Sequence, residues 1–152
     1  MTAEHTFTIR TMTMEDYDAV YQLWISTPGM GLNDLDDSRE GIERFLKRNP
    51  DTCFVAVKKD HIIGAIMSGH DGRRGYIYHT AVQESQQRQG FGGRLLDAVF
   101  QAMEREGINK LGLVVFARNE KGNQFWEKCG FAARGDLIYR NKGIRELKRM
   151  DT

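Results

Sequence analysis

A glycine-rich segment, Gln87–Arg94, limits what this chain can fold into more than any other feature. It follows a strand-like run, and the apolar spacing after it predicts a long helix from about Gly90 to Glu106. The first amide groups of a helix have no partner within the helix, and its dipole is positive at that end. Glycines let a ligand approach the main chain, and Arg88 and Arg94 add positive charge. The segment predicts a site for a pyrophosphate, although the glycines alone fit an unliganded helix start equally well.

The spacing of these glycines excludes two other phosphate-binding loops. A dinucleotide-binding fingerprint that starts at Gly90 needs a further glycine at position 95, where this chain has Leu95. A nucleotide triphosphatase loop needs Gly-Lys followed by Ser or Thr, and no such sequence follows. The segment therefore belongs to another type of loop.

Charge and apolar patterning exclude several classes of protein. The 22 Lys and Arg residues against 21 Asp and Glu residues leave a formal charge of +1, which does not favour nucleic acid as a partner. Runs such as Ile62–Met67 are far shorter than the ~20 residues of a membrane span. Met1–Thr6 lacks the features of a secretory signal, so we expect a cytoplasmic protein. Cys53 and Cys129 stand far apart, which predicts core packing rather than a disulfide or a metal site.

The order of patterns predicts one mixed α/β domain over residues 1–152. Strand-like runs lie at Thr6–Met12, Cys53–Lys58, Ile62–Gly69, Tyr76–Val82 and Lys110–Phe116, with a less legible strand pair after Phe131. One helix follows Thr13–Asp16, a second is capped by Asp37 with Glu40, and a short one covers Asn119–Lys128 in addition to the long helix. Short turns favour antiparallel neighbours. We expect a mostly antiparallel sheet of six to seven strands flanked by four helices.

Two motifs carry a family resemblance. The sequence Gln-Arg-Gln-Gly-Phe-Gly at positions 87–92 resembles the acetyl-CoA pyrophosphate loop, Gln-x-x-Gly-x-Gly, of the GNAT superfamily of N-acetyltransferases. Asn119, with the later run Phe-Trp-Glu-Lys-Cys-Gly-Phe at 125–131, resembles the segment Asn…Phe-Tyr-Glu-Lys-x-Gly-Phe of the same superfamily. The resemblance covers nearly the whole chain, and the hairpin His70–Gly75 further resembles a bacterial YpeA-like branch.

The resemblance implies a defined cofactor site. Family members bind acetyl-CoA where two parallel strands, the fourth and fifth, splay apart; here these are Tyr76–Val82 and Lys110–Phe116. By resemblance, the backbone of Val82 pairs with the pantetheine arm, the loop holds the pyrophosphate, and Asn119 contacts the arm near the sulfur. Asn119 also fits a plain helix N-cap, and both roles can hold together. The implied cofactor-binding residues are Val82, Gln87, Arg88, Gln89, Gly90, Phe91, Gly92, Gly93, Arg94, Asn119 and Trp126.

The resemblance also implies a reaction. An acetyl group would pass from acetyl-CoA to a primary amine, on a small molecule or a peptide, by direct attack in a ternary complex without a metal ion. The alternative is a CoA-binding module that senses the cofactor or supports a partner without turnover. Family members often dimerise, so a second copy of this chain is a further candidate partner.

Three groups are candidates for the chemistry. The backbone amide of Val82 can polarise the thioester carbonyl. Many family members place a tyrosine as general acid where this chain has Trp126, whose indole does not titrate usefully. Tyr139 is the leading substitute, with a buried structural role as its alternative. Histidine is the side-chain type whose unperturbed pKa lies near neutral pH, so His79 is the candidate base or water-relay member, or else a structural histidine.

The residues near His79 bear on its role and on the acceptor. Strand alternation predicts that Tyr76 and Tyr78 share one face of the sheet and that His79 lies on the other. No carboxylate is present at 113–116, where members that act on protein N-termini often carry a glutamate. Without a strong base, a lysine-like amine costs roughly 4 kcal/mol to deprotonate, whereas an α-amine costs under about 1 kcal/mol. The sequence therefore favours an α-amine or a small-molecule amine, unless bound water chains remove the proton. The acidic residues that could attract it, or form a solvated face and a cap, are Asp34, Asp36 and Asp37.

Overall fold

A five-stranded sheet forms the centre of the computed structural model, which describes residues 6–151. The residues before position 6, on which the expectation of no secretory signal rests, lie outside this range. The strands follow one another in space as they do in the chain, β1 (Thr8–Thr11), β2 (Phe54–Lys58), β3 (His61–His70), β4 (Gly75–Val82) and β5 (Leu111–Leu113). Strands β1 to β4 pair antiparallel, and β5 pairs parallel to β4. The predicted mixed, mostly antiparallel sheet is confirmed.

Helices cover both faces of this sheet. Within residues 6–151 there are four α-helices, as predicted, namely α1 (Tyr17–Ile25), α2 (Arg39–Arg48), α3 (Phe91–Arg105) and α4 (Glu120–Lys128). Short 3-10 turns precede α1 and α3 at Met14–Asp16 and Glu84–Gln86. Apolar side chains of α1 and α2 pack on one face, and those of α3 and α4 pack on the other. None of the helices in the described part of the chain is long and apolar enough to cross a membrane.

The sheet has fewer strands than the six to seven expected from the sequence. No strand pair forms in the described chain after Phe131, apart from an isolated bridge between Arg149 and Asn33. β5 pairs for only three residues, so it offers a short edge to a further strand. Residues 132–150 are exposed, and large apolar side chains among them, such as Leu137, Ile138 and Ile144, are not buried. Alternating apolar residues alone did not suffice to build a strand there.

Helix α2 begins one residue later than predicted. The Ser38 hydroxyl, rather than the Asp37 carboxylate, accepts the backbone N–H of Gly41 at 3.0 Å. Gly41 allows this tight start because a Cβ there would meet the carbonyl oxygens of Leu35 and Asp36. Since Ser38 caps the helix, the carboxylate of Asp37 is available to turn into the fold.

A β-bulge in β4 changes which of its residues face each helical layer. Tyr78 and His79 together lie opposite the single residue Met67 of β3. Ile77 therefore packs on the α3 face, whereas Ala81, four residues further on, packs on the α1 face. Without the bulge, these two side chains would share a face.

Candidate active site

Strands β4 and β5 separate after a short stretch of pairing. Their register runs from Gly75 opposite Leu111 to Ile77 opposite Leu113, and within the described residues it extends no further. β4 continues to Val82 while it stays paired with β3. This is the splay expected for the fourth and fifth strands, and it leaves one edge of β4 open.

The amide groups at the end of β4 face this opening. Gln83 donates its backbone N–H to the carbonyl of Ile63 in β3 at 2.7 Å. Because hydrogen-bonding direction alternates along an antiparallel strand, the N–H groups of Val82 and Thr80 point away from β3. The carbonyl of Val82 accepts a hydrogen bond from Nε2 of Gln87 at 3.0 Å. The backbone N–H of Val82 is thus the polar group of this residue that remains available in the opening. The backbone N–H of Thr80 also faces the opening, and the sequence did not predict Thr80 as a site residue.

The segment Gln87–Arg94 forms an uncapped helix start at the same end of β4. Gly90 has φ +86° and stands at the N-cap of α3 without a side chain to cap the helix. The N–H of Arg94 bonds to the carbonyl of Gly90 at 3.1 Å, so the amides at positions 91–93 precede the first intrahelical bond. Arg88 also has a positive φ, +67°, which is rare for a residue with a side chain. The main chain of this loop is therefore shaped around exposed amide donors.

The side chains of the loop have different surroundings. Gln87, Arg88, Gln89 and Arg94 are exposed, whereas the Phe91 ring is buried edge-on against Phe7 at 4.8 Å. Phe91 can therefore offer a ligand its amide but not its ring. The guanidinium of Arg94 lies 5.1 Å from the Phe7 ring centroid, at the start of α3.

The glycines at positions 92 and 93 have different steric surroundings. A Cβ at Gly92 would stand 3.1 Å from Cε1 of Phe125, so this glycine also allows α4 to pack closely against α3. A Cβ at Gly93 would have no heavy atom within 4 Å among residues 6–151. Gly93, rather than Gly92, is the position at which an added methyl group would test a ligand contact without affecting the packing.

Asn119 and Trp126 both serve the structure of α4. The side-chain oxygen of Asn119 accepts the N–H of Gly122 at 2.9 Å, so its predicted role as the helix N-cap is confirmed. The predicted ligand contact of Asn119 stays a prediction. Trp126 is buried in the α3 face of the core, with its ring 5.3 Å from that of Phe131. The Trp126 side chain therefore packs in the core, and its contact with a cofactor stays a prediction.

His79 forms a hydrogen-bonded pair with Asp37. Nε2 of His79 lies 2.6 Å from Oδ1 of Asp37, whose side chain is only 5% exposed. The other carboxylate oxygen accepts the backbone N–H of Asn33 at 2.8 Å. Because an ionised carboxylate only accepts hydrogen bonds, Nε2 of His79 is the donor in this pair, and in the neutral imidazole the lone pair is then on Nδ1. The site therefore holds an imidazole in one orientation, with its accepting nitrogen turned away from the carboxylate.

The prediction that His79 lies on the opposite face from Tyr78 is wrong, because the bulge turns both toward the α1 and α2 layer. His79 packs edge-on against Trp24 at 4.9 Å, and Tyr78 packs against Phe45 at 5.4 Å. The sequence also missed Asp37 as the partner of His79. The sequence did contain an indication of this pair: Ser38 can cap α2 in place of Asp37, which leaves the Asp37 carboxylate available for another partner.

Tyr139 lies in the exposed segment after Phe131, with 66% of its surface accessible. The buried structural role considered for it is therefore wrong. Burial and the nearby phenol of Tyr139 raise the pKa values of Tyr76 and Tyr78 above their usual range. Tyr76 and Tyr78 themselves are in contact, with ring centroids 4.9 Å apart.

The remaining acidic residues of the α1–α2 loop have local partners. Asp34 accepts the backbone N–H of Lys148 at 2.7 Å, and Asp36 accepts the side-chain amide of Asn33 at 3.0 Å. These two carboxylates therefore stabilise the conformation of the loop. Their predicted attraction of a cationic amine stays a prediction.

Comparisons with known proteins agree with this geometry. The profile of the Acetyltransferase (GNAT) family matches residues 17–131. An acetyltransferase of Sodalis glossinidius (strain morsitans) is 27% identical over 138 residues, which cover 91% of this chain and 96% of that protein. An acetyltransferase of Pectobacterium atrosepticum is 30% identical over 123 residues, which cover 81% of this chain and 86% of that protein.

Solved structures show the same fold. Ard1 from Thermoplasma volcanium superposes with a TM-score of 0.74 at 22% identity, over 83% of this chain and 82% of that one. The PaiA N-acetyltransferase from Thermoplasma acidophilum, solved in complex with coenzyme A, gives 0.75 at 18% identity, over 85% and 91% of the two chains. With the matching profile and the splayed strands, these findings show that the chain belongs to the acetyltransferase (GNAT) family.

Proposed function

We propose that this protein transfers the acetyl group of acetyl-CoA to a primary amine by direct attack in a ternary complex. One observation carries the proposal: the open edge of β4 leads directly into the uncapped start of α3. An extended pantetheine arm contains amides that can pair with a strand edge, as a further strand would. Pyrophosphate oxygens can accept the amides at positions 91–93. The amides of the β4 edge therefore fit the pantetheine arm, and the amides at the start of α3 fit the pyrophosphate. The two sets of donors lie in the same order as these two parts of acetyl-CoA.

The residues proposed to hold acetyl-CoA are mainly backbone donors. The amide of Val82 would pair with the arm, and the loop Gln87–Arg94 would hold the pyrophosphate. The side chain of Gln87 is bonded to Val82, so it would shape the strand end, while Arg88 and Arg94 would supply charge. Asn119 would contact the arm from the start of α4.

The chemistry requires a neutral amine and a polarised carbonyl. Acetyl-CoA supplies an activated thioester; the amine nitrogen forms a bond to the carbonyl carbon, and the carbon–sulfur bond breaks. The amide of Val82 would stabilise charge on the carbonyl oxygen. The amine proton would pass to Nδ1 of His79, and the departing sulfur would take a proton from Tyr139 or from water.

The spacing along β4 favours a relay over direct proton transfer. His79 precedes Val82 by three residues, which is about 10 Å along a strand at ~3.3 Å per residue. Because each hydrogen bond spans only ~2.8 Å, a short chain of water molecules between the amine and the imidazole would cover this separation. Such an indirect base suits an acceptor that loses its proton easily, so we propose an α-amine or a small-molecule amine as the substrate class.

Release of free thiol from acetyl-CoA in the presence of an amine panel tests the proposal. We expect thiol release that depends on the amine, and a fall in kcat/KM of about a hundredfold in His79→Gln, the magnitude typical of acid–base catalysis. His61→Gln, which changes an exposed histidine at the start of β3, is the matched control and should leave kcat/KM unchanged. Binding of acetyl-CoA without thiol release for any amine would instead support the CoA-binding module that lacks turnover.

A further inference from the structure

We infer that residues 148–151, here called the strap, position the Asp37–His79 pair through the α1–α2 loop. The inference rests on the proposed function in so far as His79 acts as the base. The strap runs antiparallel to residues 31–34 of the loop. Met150 donates its N–H to the carbonyl of Leu32 at 3.0 Å, and Asp34 donates its N–H to the carbonyl of Lys148 at 3.0 Å. Arg149 and Asn33 form a β-bridge between these two bonds.

Asp151 adds the strongest attachment between the strap and the loop. Its carboxylate accepts the backbone N–H of Gly31 at 3.0 Å and that of Leu32 at 2.6 Å. Hydrogen bonds to an ionised acceptor are roughly twice as strong as neutral ones. Gly31 has φ +73°, so the loop adopts a backbone conformation at this point that few other residues would accept. The strap thus adds two charge-assisted hydrogen bonds at this turn.

The fixed part of the loop leads directly to the candidate base. Asn33 is bridged to the strap, and its backbone N–H donates to Oδ2 of Asp37 at 2.8 Å. Oδ1 of the same carboxylate holds Nε2 of His79 at 2.6 Å. Asn33 is therefore the shared element between the strap and the carboxylate that orients the imidazole. Asp151 is a positioning residue in this arrangement because it acts through the loop.

The strap also contacts the residues beyond β5, across the opening from β4. The guanidinium of Arg149 lies 5.5 Å from the centroid of the Phe116 ring. The same ring lies 3.5 Å from the place where a Cβ of Gly31 would stand. Phe116 follows the splayed end of β5, so the strap links the loop that carries Asp37 to the far wall of the opening.

Asp151→Ala and Asp151→Asn test this inference, with Asp136→Ala as the matched control. Asp136 is an exposed carboxylate nearby whose bonds go to Arg134 and not to the loop. Backbone amide exchange and the long-range proton–nitrogen NMR spectrum of the His79 ring are measured in each protein, together with acetyl-CoA affinity. Turnover with the amine that the parent uses is measured as KM and kcat separately.

In Asp151→Ala we expect amide exchange at Gly31, Leu32 and Asn33 to rise about tenfold or more. The hydrogen-bonded Nε2 proton of His79 should exchange faster, and kcat/KM for the amine should fall about tenfold with acetyl-CoA affinity unchanged. Asp151→Asn, which keeps one acceptor oxygen, should show smaller changes in the same direction. Asp136→Ala should match the parent.

Faster exchange at Gly31 and Leu32 with an unaltered His79 signal would overturn the inference, because the strap would then be a local attachment only. If Asp151→Ala fails to fold, the milder variant Asp151→Asn tests the inference through the same two measurements, amide exchange in the loop and the NMR spectrum of the His79 ring. A parent protein that turns over no amine would count against the proposed function alone, since the His79 spectrum still reports whether the strap positions the imidazole.

Discussion

Asn119 combines two roles in a single side chain that can be separated by substitution. Its oxygen caps α4, so a contact with the cofactor arm would fall to its amide nitrogen. Asn119→Ala removes both groups, whereas Asn119→Ser keeps a capping oxygen without the amide. Comparison of the two variants therefore separates the contribution of Asn119 to helix capping from its contribution to cofactor binding.

We expect Asn119→Ala to lower the free energy of unfolding by about 1 kcal/mol and Asn119→Ser to change it little. Both variants should bind acetyl-CoA about fivefold more weakly, the equivalent of one lost hydrogen bond at about 1 kcal/mol. Denaturant unfolding and calorimetric titration give the two quantities. Parent-like affinity in Asn119→Ser would reduce Asn119 to a helix cap.

At the scale of elements, the entry into α1 depends on a buried carboxylate. Asp16 accepts two hydrogen bonds from the Arg10 guanidinium at 2.8 Å and one from the N–H of Thr13 at 2.9 Å. Burial acts to raise the pKa of Asp16, but the bonds from Arg10 and Thr13 outweigh it, and the pKa lies below its usual value. The stability from this group is therefore present above about pH 4 and is lost as pH falls through the lowered pKa.

Asp16→Asn should accordingly lower the free energy of unfolding by about 1–3 kcal/mol at neutral pH. The difference from the parent should shrink as pH falls below about 4, because only the parent has a carboxylate to protonate. Denaturant unfolding as a function of pH measures this difference. Asp18→Asn, which breaks the exposed pair with Arg39, is the control and should have little effect. A difference that stays constant into acid would contradict the assignment to the charge of Asp16.

Elements with local signals were predictable from the sequence, and those that depend on a neighbour were not. The bounds of α3 and α4 lie within a residue or two of the prediction, because amphipathic spacing and capping residues are contained in the element itself. In the bulge, Tyr78 and His79 both lie opposite Met67 of β3, so the bulge depends on the pairing of two strands. The sequence of β4 alone does not predict it. The strands expected after Phe131 needed a sheet edge that β5 is too short to supply.

At the scale of the whole molecule, the candidate site combines parts that lie far apart in the chain. The backbone donors proposed to bind the cofactor follow directly after β4, and the motif 87–92 points to them because they occupy one short segment. His79 was predicted as a candidate, but its partner Asp37 lies 42 positions away. The strap reaches the loop across 120 positions, between Gly31 and Asp151. No local pattern in the sequence indicates contacts of that separation, so the Asp37–His79 pair and its attachment to the strap became visible only in the fold.

We propose that the start of α3 binds the pyrophosphate of acetyl-CoA, and titration of acetyl-CoA into the variant Gly93→Ala tests this binding. The added methyl group meets open space in the fold, and Ala favours a helix over Gly by up to about 1 kcal/mol. We therefore expect thermal stability equal to or slightly above that of the parent. Against a bound pyrophosphate, the same methyl group would disturb charge-assisted hydrogen bonds of ~1.5–3 kcal/mol each.

Calorimetric titration of the parent, Gly93→Ala and the control Gly135→Ala supplies the measurement. Gly135 also faces open space, in the exposed segment away from α3. We expect acetyl-CoA to bind Gly93→Ala at least about tenfold more weakly than the parent, a loss of about 1.4 kcal/mol or more. Gly135→Ala should bind acetyl-CoA as the parent does. If Gly93→Ala binds acetyl-CoA as tightly as the parent, the pyrophosphate does not lie on this loop and the account is contradicted.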